Sequence, residues 1–212
     1  MPTGTPFAHA VPVRRVLAVM QRAAIGGVVG PVTFITAWMI AGMATSRAYS
    51  PIDDAISRLA AVGADTRWLM TAGFVVFGFA LASFGQALRT QFSGSAWITS
   101  TITGLATLGV AATPLDWSDG VDRLHGVFAG LGYVTLALTP MLAATTLFRS
   151  GRTWLAGAGC AAGLVSTVAL GLTLTDLPTG LVQRIGLTAT DAWIIALAVM
   201  MLSERRAAQH GA

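Results

Sequence analysis

The sequence predicts an all-α polytopic membrane protein, built as a bundle of six transmembrane helices. Of the 212 residues, 54% are hydrophobic and only 10% are charged, whereas a soluble domain carries about a quarter charged residues. The mean hydropathy is +0.70. The apolar residues fall in long runs without the alternation of a membrane β-strand, so helices are the structure that satisfies the backbone in lipid.

Six apolar stretches have the length that a helix needs to cross a bilayer, ~20 residues. They cover residues 23–45, 68–88, 97–113, 126–148, 153–174 and 185–202. The first is longer than the apolar part of a cleaved signal peptide, so we expect it to remain as a span. The stretches define a transmembrane domain over residues 23–202, an N-terminal tail of residues 1–22 and a C-terminal tail of residues 203–212. GxxxG spacing, which favours close helix approach, occurs at Gly26/Gly30, Gly126/Gly130 and Gly159/Gly163.

The arginines predict the orientation of the bundle. With the N-terminus in the cytoplasm, the inner loops and tails carry eight arginines and the outer loops carry five, in agreement with the positive-inside rule. This predicts a multi-pass protein of the plasma membrane with both termini in the cytoplasm. The acidic residues concentrate on the outer side, so we expect a functional site to face outward.

The first outer loop is predicted to contain a short amphipathic helix. Ser50 is a suitable N-cap, and Asp53 occupies the position of a capping-box acid. Asp54 and Arg58 are spaced as an i,i+4 ion pair. A helix that closes the outer end of the bundle is the favoured interpretation, and a substrate-binding lid is the alternative. The predicted apolar face comprises Ile52, Ala55, Ile56 and Leu59.

The second outer loop places Asp116 and Asp122 close before His125. We expect Asp116 to accept a hydrogen bond from His125, while Asp122 and His125 share one helical face. The acids do not form an EF-hand, because that loop requires Gly at its sixth position and Glu at its twelfth. One histidine with acids also falls short of a zinc site, so no metal is predicted.

Asp191 is the acidic residue placed well inside a predicted span. A carboxylate at this depth is costly unless it is paired or hydrated, and it is therefore a functional candidate. His125, Arg123 or a threonine of another span are its candidate partners, and a polar contact that only holds helices together is the alternative. The candidate outer polar cluster consists of Asp53, Asp54, Arg58, Asp116, Asp122, His125 and Asp191.

Several short motifs occur in a fixed order at the outer ends of the spans. They are Tyr49-Ser-Pro-x-Asp, Ile56-Ser-Arg-Leu, Thr113-Pro-x-Asp and His125-Gly. In this order they resemble the domain of unknown function 998 family, which consists of six-span integral membrane proteins of bacteria and archaea. The resemblance covers residues 23–202 and implies the six-span architecture, but it leaves the activity open.

Three classes of function remain open. We expect the protein to bind a lipid or a membrane partner through its outward-facing polar cluster, with membrane lipids, a membrane protein or a second copy of the chain as partners. A small membrane enzyme acting on a lipid or isoprenoid is the first alternative, with Asp191, Asp116 and His125 as its acid–base groups. A proton-linked transporter that uses Asp191 is the second. The sequence predicts no cofactor, and the dispersed arginines argue against nucleic-acid binding.

Overall fold

The fold is helical throughout the part of the chain that the computed structural model describes, which is the backbone of residues 13–210 and the side chains of residues 23–207. One short 3-10 helix, η1, lies between the first two α-helices. The elements in order are α1 (Val13–Ala44), η1 (Ile56–Ala60), α2 (Arg67–Gln91), α3 (Ala96–Ala112), α4 (Asp119–Arg149), α5 (Thr153–Leu172) and α6 (Thr179–His210).

The helices have the lengths and compositions of a membrane protein. Five of them are long and apolar enough to cross a bilayer, and α3 is apolar but has only 17 residues. The predicted class, an all-α membrane protein, is confirmed. The five candidate spans are Ala23–Ala44, Arg67–Gln91, Asp119–Arg149, Thr153–Leu172 and Thr179–Ala207.

The first and last helices extend into the segments predicted as tails. Helix α1 begins at Val13 and α6 continues to His210, because neither residues 13–22 nor residues 203–210 contain a Gly or Pro that would stop a helix. Residues 1–12 and 211–212, with the remainder of the predicted tails, lie outside the described residues. So do the side chains of Arg14, Arg15 and Arg22, which were counted for the predicted orientation.

Consecutive helices pack against each other, and α1 also contacts α6, so the six helices form a closed ring. Glycines allow the backbones to approach closely. A Cβ on Gly163 of α5 would lie 2.7 Å from the carbonyl oxygen of Ala137 in α4. Two of the predicted GxxxG pairs, at residues 26/30 and 159/163, lie in such contacts, but the pair Gly126 and Gly130 has open space around it.

The short amphipathic helix predicted in the loop between α1 and α2 is not confirmed over the length that the sequence pattern gave it. Residues 51–54 form a turn, and only five residues form a 3-10 helix, η1. The side-chain oxygen of Gln183 in α6 accepts the Ile56 N–H at 2.7 Å, which removes this donor from an α-helical bond to residue 52. Ile56 and Leu59 are buried as the pattern requires, whereas Ile52 is 54% exposed.

Candidate functional site

A cavity lies inside the ring of helices, directly beneath η1. Its volume is about 70 Å³, and it is partly open to the surroundings of the bundle. Space for one water is about 10–15 Å³, so the cavity can hold a group of several heavy atoms. Helix α5 contributes no lining residue. The lining consists of Phe34, Ile56, Ser57, Phe74, Phe77, Thr103, Thr107, Val110, His125, Phe128, Ala129, Gly132, Tyr133, Leu136, Gln183 and Leu187.

His125 lines this cavity from the first turns of α4 and is 5% exposed. Its Nδ1 lies 2.6 Å from the carbonyl oxygen of Thr113. A carbonyl oxygen only accepts hydrogen bonds, so Nδ1 carries the hydrogen, and Nε2 of the neutral ring is an acceptor. In the described part of the chain, Nε2 has no hydrogen-bond partner. The predicted hydrogen bond from His125 to Asp116 is therefore wrong.

Asp116 instead pairs with Arg58 of η1, at 3.0 Å. Its backbone has a φ of 63°, and its N–H donates to the carboxylate of Asp122 at 3.0 Å. The predicted Asp54–Arg58 pair is also wrong. Asp54 lies in a bend before η1 begins at Ile56, so the i,i+4 spacing of an α-helix does not apply to Asp54 and Arg58. The carboxylate of Asp54 accepts the N–H of Ser50 at 2.8 Å.

The predicted outer polar cluster therefore divides into separate places. Asp54, Arg58 and Asp116 line an open cup of about 280 Å³ above η1, together with Arg47 and Tyr49. Asp122 supports the loop at the edge of this cup. Asp53 accepts a hydrogen bond from the hydroxyl of Ser50 at 2.6 Å, on the exposed surface. His125 and Asp191 lie deeper in the bundle.

Arg184 of α6 fastens the loop between α1 and α2, a role that the sequence did not predict. Its guanidinium donates to the carbonyl oxygens of Pro51 at 2.7 Å and Asp54 at 3.2 Å, and to the hydroxyl of Tyr49. It also stacks over Trp38 of α1, 5.1 Å from the ring centroid. Burial raises the pKa of Tyr49, although Arg184 acts in the opposite direction.

Asp65 fastens the end of the same loop to the end of α1. Its carboxylate accepts hydrogen bonds from the N–H and the hydroxyl of Ser46, each at 2.7 Å, and from the hydroxyl of Thr45 at 2.9 Å. These bonds, the Ser46 N–H first, hold the pKa of Asp65 well below its usual range. Together with Arg184, Asp65 makes the loop a fixed roof over the cavity.

Asp191 lies below the cavity on α6, one turn after the lining residue Leu187. It has no solvent exposure, and neither carboxyl oxygen has a hydrogen-bond partner among the described residues. None of its predicted partners, His125, Arg123 or a span threonine, therefore bonds to it. The side chain lies within electrostatic range of the hydroxyl of Tyr133.

Tyr133 is a cavity residue that the sequence analysis missed. It is 9% exposed, and its hydroxyl lies beside the side chain of Gln183 without a well-formed hydrogen bond to any of the described residues. It follows His125 by eight residues, little more than two helical turns, so both side chains line the cavity. The chain has only two tyrosines, and this spacing from His125 is the signal that identifies the residue.

The contact between α4 and α5 is close at Ala137 and open at the two glycines nearer the start of α4. Residues 126, 130 and 137 of α4 share one side of the helix, because intervals of seven and eleven residues are close to whole turns. Ala137 packs directly on Gly163 of α5, but nothing lies within 4 Å of a Cβ on Gly126 or Gly130. The two helices therefore separate toward the η1 end of the bundle, beside the lining residue Ala129.

The described residues contain no group of three His, Cys, Asp or Glu side chains that could hold a metal ion. Residues 28–200 match the family model described as protein of unknown function (DUF998). The chain belongs to this family. The match covers most of the chain and confirms the resemblance seen in the sequence motifs. No curated protein and no solved structure matches the chain.

Proposed function

We propose that this DUF998 protein binds a lipid or another apolar molecule with a polar end in the cavity beneath η1. The observation that carries the proposal is a mostly apolar cavity lined by two buried polar atoms, Nε2 of His125, which has no hydrogen-bond partner among the described residues, and the hydroxyl of Tyr133, which lies beside Gln183 without a well-formed hydrogen bond. Buried polar groups are nearly always hydrogen-bonded. A ligand with its own polar atoms in the cavity supplies the partners that these groups lack.

The surroundings of the cavity favour entry from the membrane. The roof is fastened by the Ile56–Gln183 bond, by the Val62 N–H that donates to Leu115 at 2.8 Å, and by the Arg58–Asp116 pair. The gap beside Gly130 faces the surroundings of the helices instead. A molecule dissolved in the bilayer reaches the cavity through this gap without passing through water.

The test is native mass spectrometry of the purified protein with the lipids that are extracted alongside it. The Ala129→Leu variant places a larger side chain in the cavity. The Ala158→Leu variant makes the same change on the exposed face of α5 and is the matched control. We expect a specific lipid on the wild type and on Ala158→Leu, and about tenfold less of it on Ala129→Leu. Equal occupancy of all three proteins would contradict binding in this cavity.

Asp191 supports a second candidate, a proton-linked transport function. A fully buried carboxyl group without a partner is costly inside a membrane, and a role in proton transfer explains why it is present. Asn keeps the shape and the hydrogen-bonding capacity of Asp but cannot exchange a proton. We expect Asp191→Asn to be stably folded and to fail to complement a deletion strain. Full complementation would show that the carboxyl group is not required.

We also propose that α3 is the sixth span, and that both termini lie in the cytoplasm of a cell with the protein in its plasma membrane. A helix of 17 residues is at the short end of the range for spans. In a Cys160→Ala background, a Ser118→Cys variant should react with an impermeant thiol reagent from outside. A Ser150→Cys variant should react only after permeabilisation. The reverse labelling pattern would show that the cavity lies in the inner leaflet.

A further inference from the structure

We propose that the cavity beneath η1 takes the end of an uncharged chain that carries a primary hydroxyl, as in a fatty or isoprenoid alcohol, and that this hydroxyl donates to Nε2 of His125. This inference rests on the proposed function, because it names the polar end of the ligand that the same cavity takes. It is carried by the hydrogen-bonding role of His125, by the uncharged lining of the cavity, and by the volume of the cavity.

His125 offers the occupant of the cavity a hydrogen-bond acceptor. The residue lines the cavity and is 5% exposed. Its Nδ1–H donates to the carbonyl oxygen of Thr113, which leaves Nε2 of the neutral ring with a lone pair and no hydrogen. None of the described residues donates to this lone pair. Because a buried acceptor without a donor is costly, a ligand that brings a hydrogen binds better here than one that brings only an oxygen.

The lining of the cavity opposes charged head groups. It contains four phenylalanines and no Asp, Glu, Lys or Arg, and Asp191 lies beneath the cavity without lining it. An ammonium group carries hydrogens, but it would lose its hydration here without gaining a counter-charge. An ionised phosphate or carboxylate has the same cost and brings Nε2 no hydrogen. A hydroxyl is the small uncharged group that donates to Nε2 without this cost.

The volume of the cavity favours the end of a single chain. The cavity measures about 70 Å³, whereas a cavity of about 150 Å³ is known to hold a benzene ring. A ring or a branched head group is therefore too large, and a terminal hydroxyl with the first carbons of its chain fits. The rest of the chain lies in the gap between α4 and α5 beside Gly130, the route of entry proposed above. A hydroxyl in the middle of a chain cannot reach Nε2, because both halves of the chain would have to enter the cavity.

The experiment compares three isomers for binding to the whole protein in phosphatidylglycerol nanodiscs. They are n-dodecanol, methyl undecyl ether, and the dodecanol with its hydroxyl in the middle of the chain. Binding is measured as the excess over nanodiscs that carry the cavity-filled Ala129→Leu variant, relative to the concentration of each probe in the bilayer. We expect n-dodecanol to bind about tenfold more tightly than either isomer, because the ether has no hydrogen to donate and the mid-chain hydroxyl does not reach Nε2.

Farnesol and farnesyl methyl ether repeat the comparison with an isoprenoid chain. This arm distinguishes the two sources of a primary hydroxyl, since the chain that fits the gap is the one whose alcohol binds more tightly. For that chain we expect the alcohol to be preferred over its ether by about tenfold.

The His125→Asn variant assigns the preference to the imidazole. Asn keeps a donor for the Thr113 carbonyl but has no acceptor at the position of Nε2, so the alcohol and the ether should bind this variant equally. The Ala158→Leu variant, changed on the exposed face of α5, is the control and should keep the preference of the wild type. Thermal unfolding checks the fold of each variant, and the isomers on the wild type test the inference even if His125→Asn does not fold.

The results separate this inference from the proposed function. If the ether of each chain binds the wild type as tightly as the alcohol, or if a folded His125→Asn variant keeps the preference, donation of a hydroxyl to His125 is refuted. If the mid-chain isomer binds as tightly as n-dodecanol, the chain end is refuted. If no probe binds but a co-purified lipid is lost on Ala129→Leu, the ligand class is refuted and lipid binding in the cavity stands. If no lipid is lost on that variant either, the proposed function fails as well.

Discussion

The separation of α4 from α5 can be tested with one substitution placed at two glycines. Gly163→Ala adds a Cβ where the helices touch, and Gly130→Ala adds the same atom at the gap. The two glycines lie in GxxxG motifs of adjacent helices, so the sequence gives no reason for them to differ. The structure predicts that they differ, because of the two only Gly163 lies against a backbone atom of the adjacent helix.

The expected magnitudes follow from the contacts. The added Cβ of Gly163→Ala lies 2.7 Å from the Ala137 carbonyl oxygen, which belongs to a helical backbone and cannot rotate away. Overpacking of this kind typically costs about 1–3 kcal/mol, while Ala recovers about 0.5–1 kcal/mol of helix propensity over Gly. The net loss is therefore at most about 2.5 kcal/mol, with a central value of about 1 kcal/mol. The Cβ added by Gly130→Ala has no atom within 4 Å. This variant therefore gains helix propensity without an overpacking cost.

The assay is reversible unfolding of both variants by sodium dodecyl sulfate in mixed micelles, with the free energy of unfolding as the measured quantity. Gly163→Ala should lower it and Gly130→Ala should raise it slightly. A loss at Gly130 as large as the loss at Gly163 would mean that the helices are in contact along their whole length. The gap through which a ligand enters the cavity would then not exist.

Three further predictions concern the roof over the cavity. Arg184→Lys should lower the free energy of unfolding by about 1–3 kcal/mol. The planar guanidinium bonds Pro51, Asp54 and Tyr49 at once, and an ammonium group cannot. A Lys variant as stable as the wild type would contradict this role. Asp116→Asn should lower the free energy of unfolding by less than about 1 kcal/mol, because the Arg58–Asp116 pair is about half exposed. High salt should make this difference smaller. A larger difference that does not depend on salt would show that the pair is desolvated. Because the folded pKa of Asp65 lies below its unfolded value, its stabilisation is complete at neutral pH and is lost as the pH falls below about 4. The Tm difference between wild type and Asp65→Asn should therefore shrink between pH 6 and pH 3, and a constant difference would show that the carboxylate is not responsible.

The fold class was predictable because it depends on composition and on the lengths of apolar runs. A bilayer admits few backbone structures, so long apolar stretches without charges leave helices as the solution. The bounds of α1 and α6 were not predictable from hydropathy, since a helix continues into water until a residue stops it. Asp191 was singled out because it lies inside the sixth apolar stretch, and in the structure its side chain is fully buried.

The ion pairs and hydrogen bonds of the loops before α2 and α4 were not predictable, because they depend on two local backbone conformations. One is the turn at residues 51–54 followed by the short 3-10 helix η1, which replaces the α-helix on which Asp54 and Arg58 would be one turn apart. The other is the positive φ of Asp116, which brings its carboxylate to Arg58 and leaves His125 to the Thr113 carbonyl. The conformation of η1 is held by a contact with another helix, the bond from Ile56 to Gln183, and that of Asp116 accompanies the bond from its N–H to Asp122. Spacing along the chain does not encode such contacts.

The distribution of partners among the polar side chains indicates where the function lies. Charged residues that were expected to form the site, such as Arg58 and Asp116, satisfy each other and fasten the roof. Of the described residues with a buried polar atom that lacks a partner, His125 and Tyr133 line the cavity and Asp191 lies beneath it, whereas Ser166, Arg184 and Arg205 lie outside the cavity lining. An unsatisfied buried group costs about 1–3 kcal/mol of stability, and apolar residues of similar size would avoid that cost. Such groups persist where a bound molecule or a transferred proton uses them, so the cavity and the carboxyl group beneath it, rather than the outer surface, are the parts of this protein to test for activity.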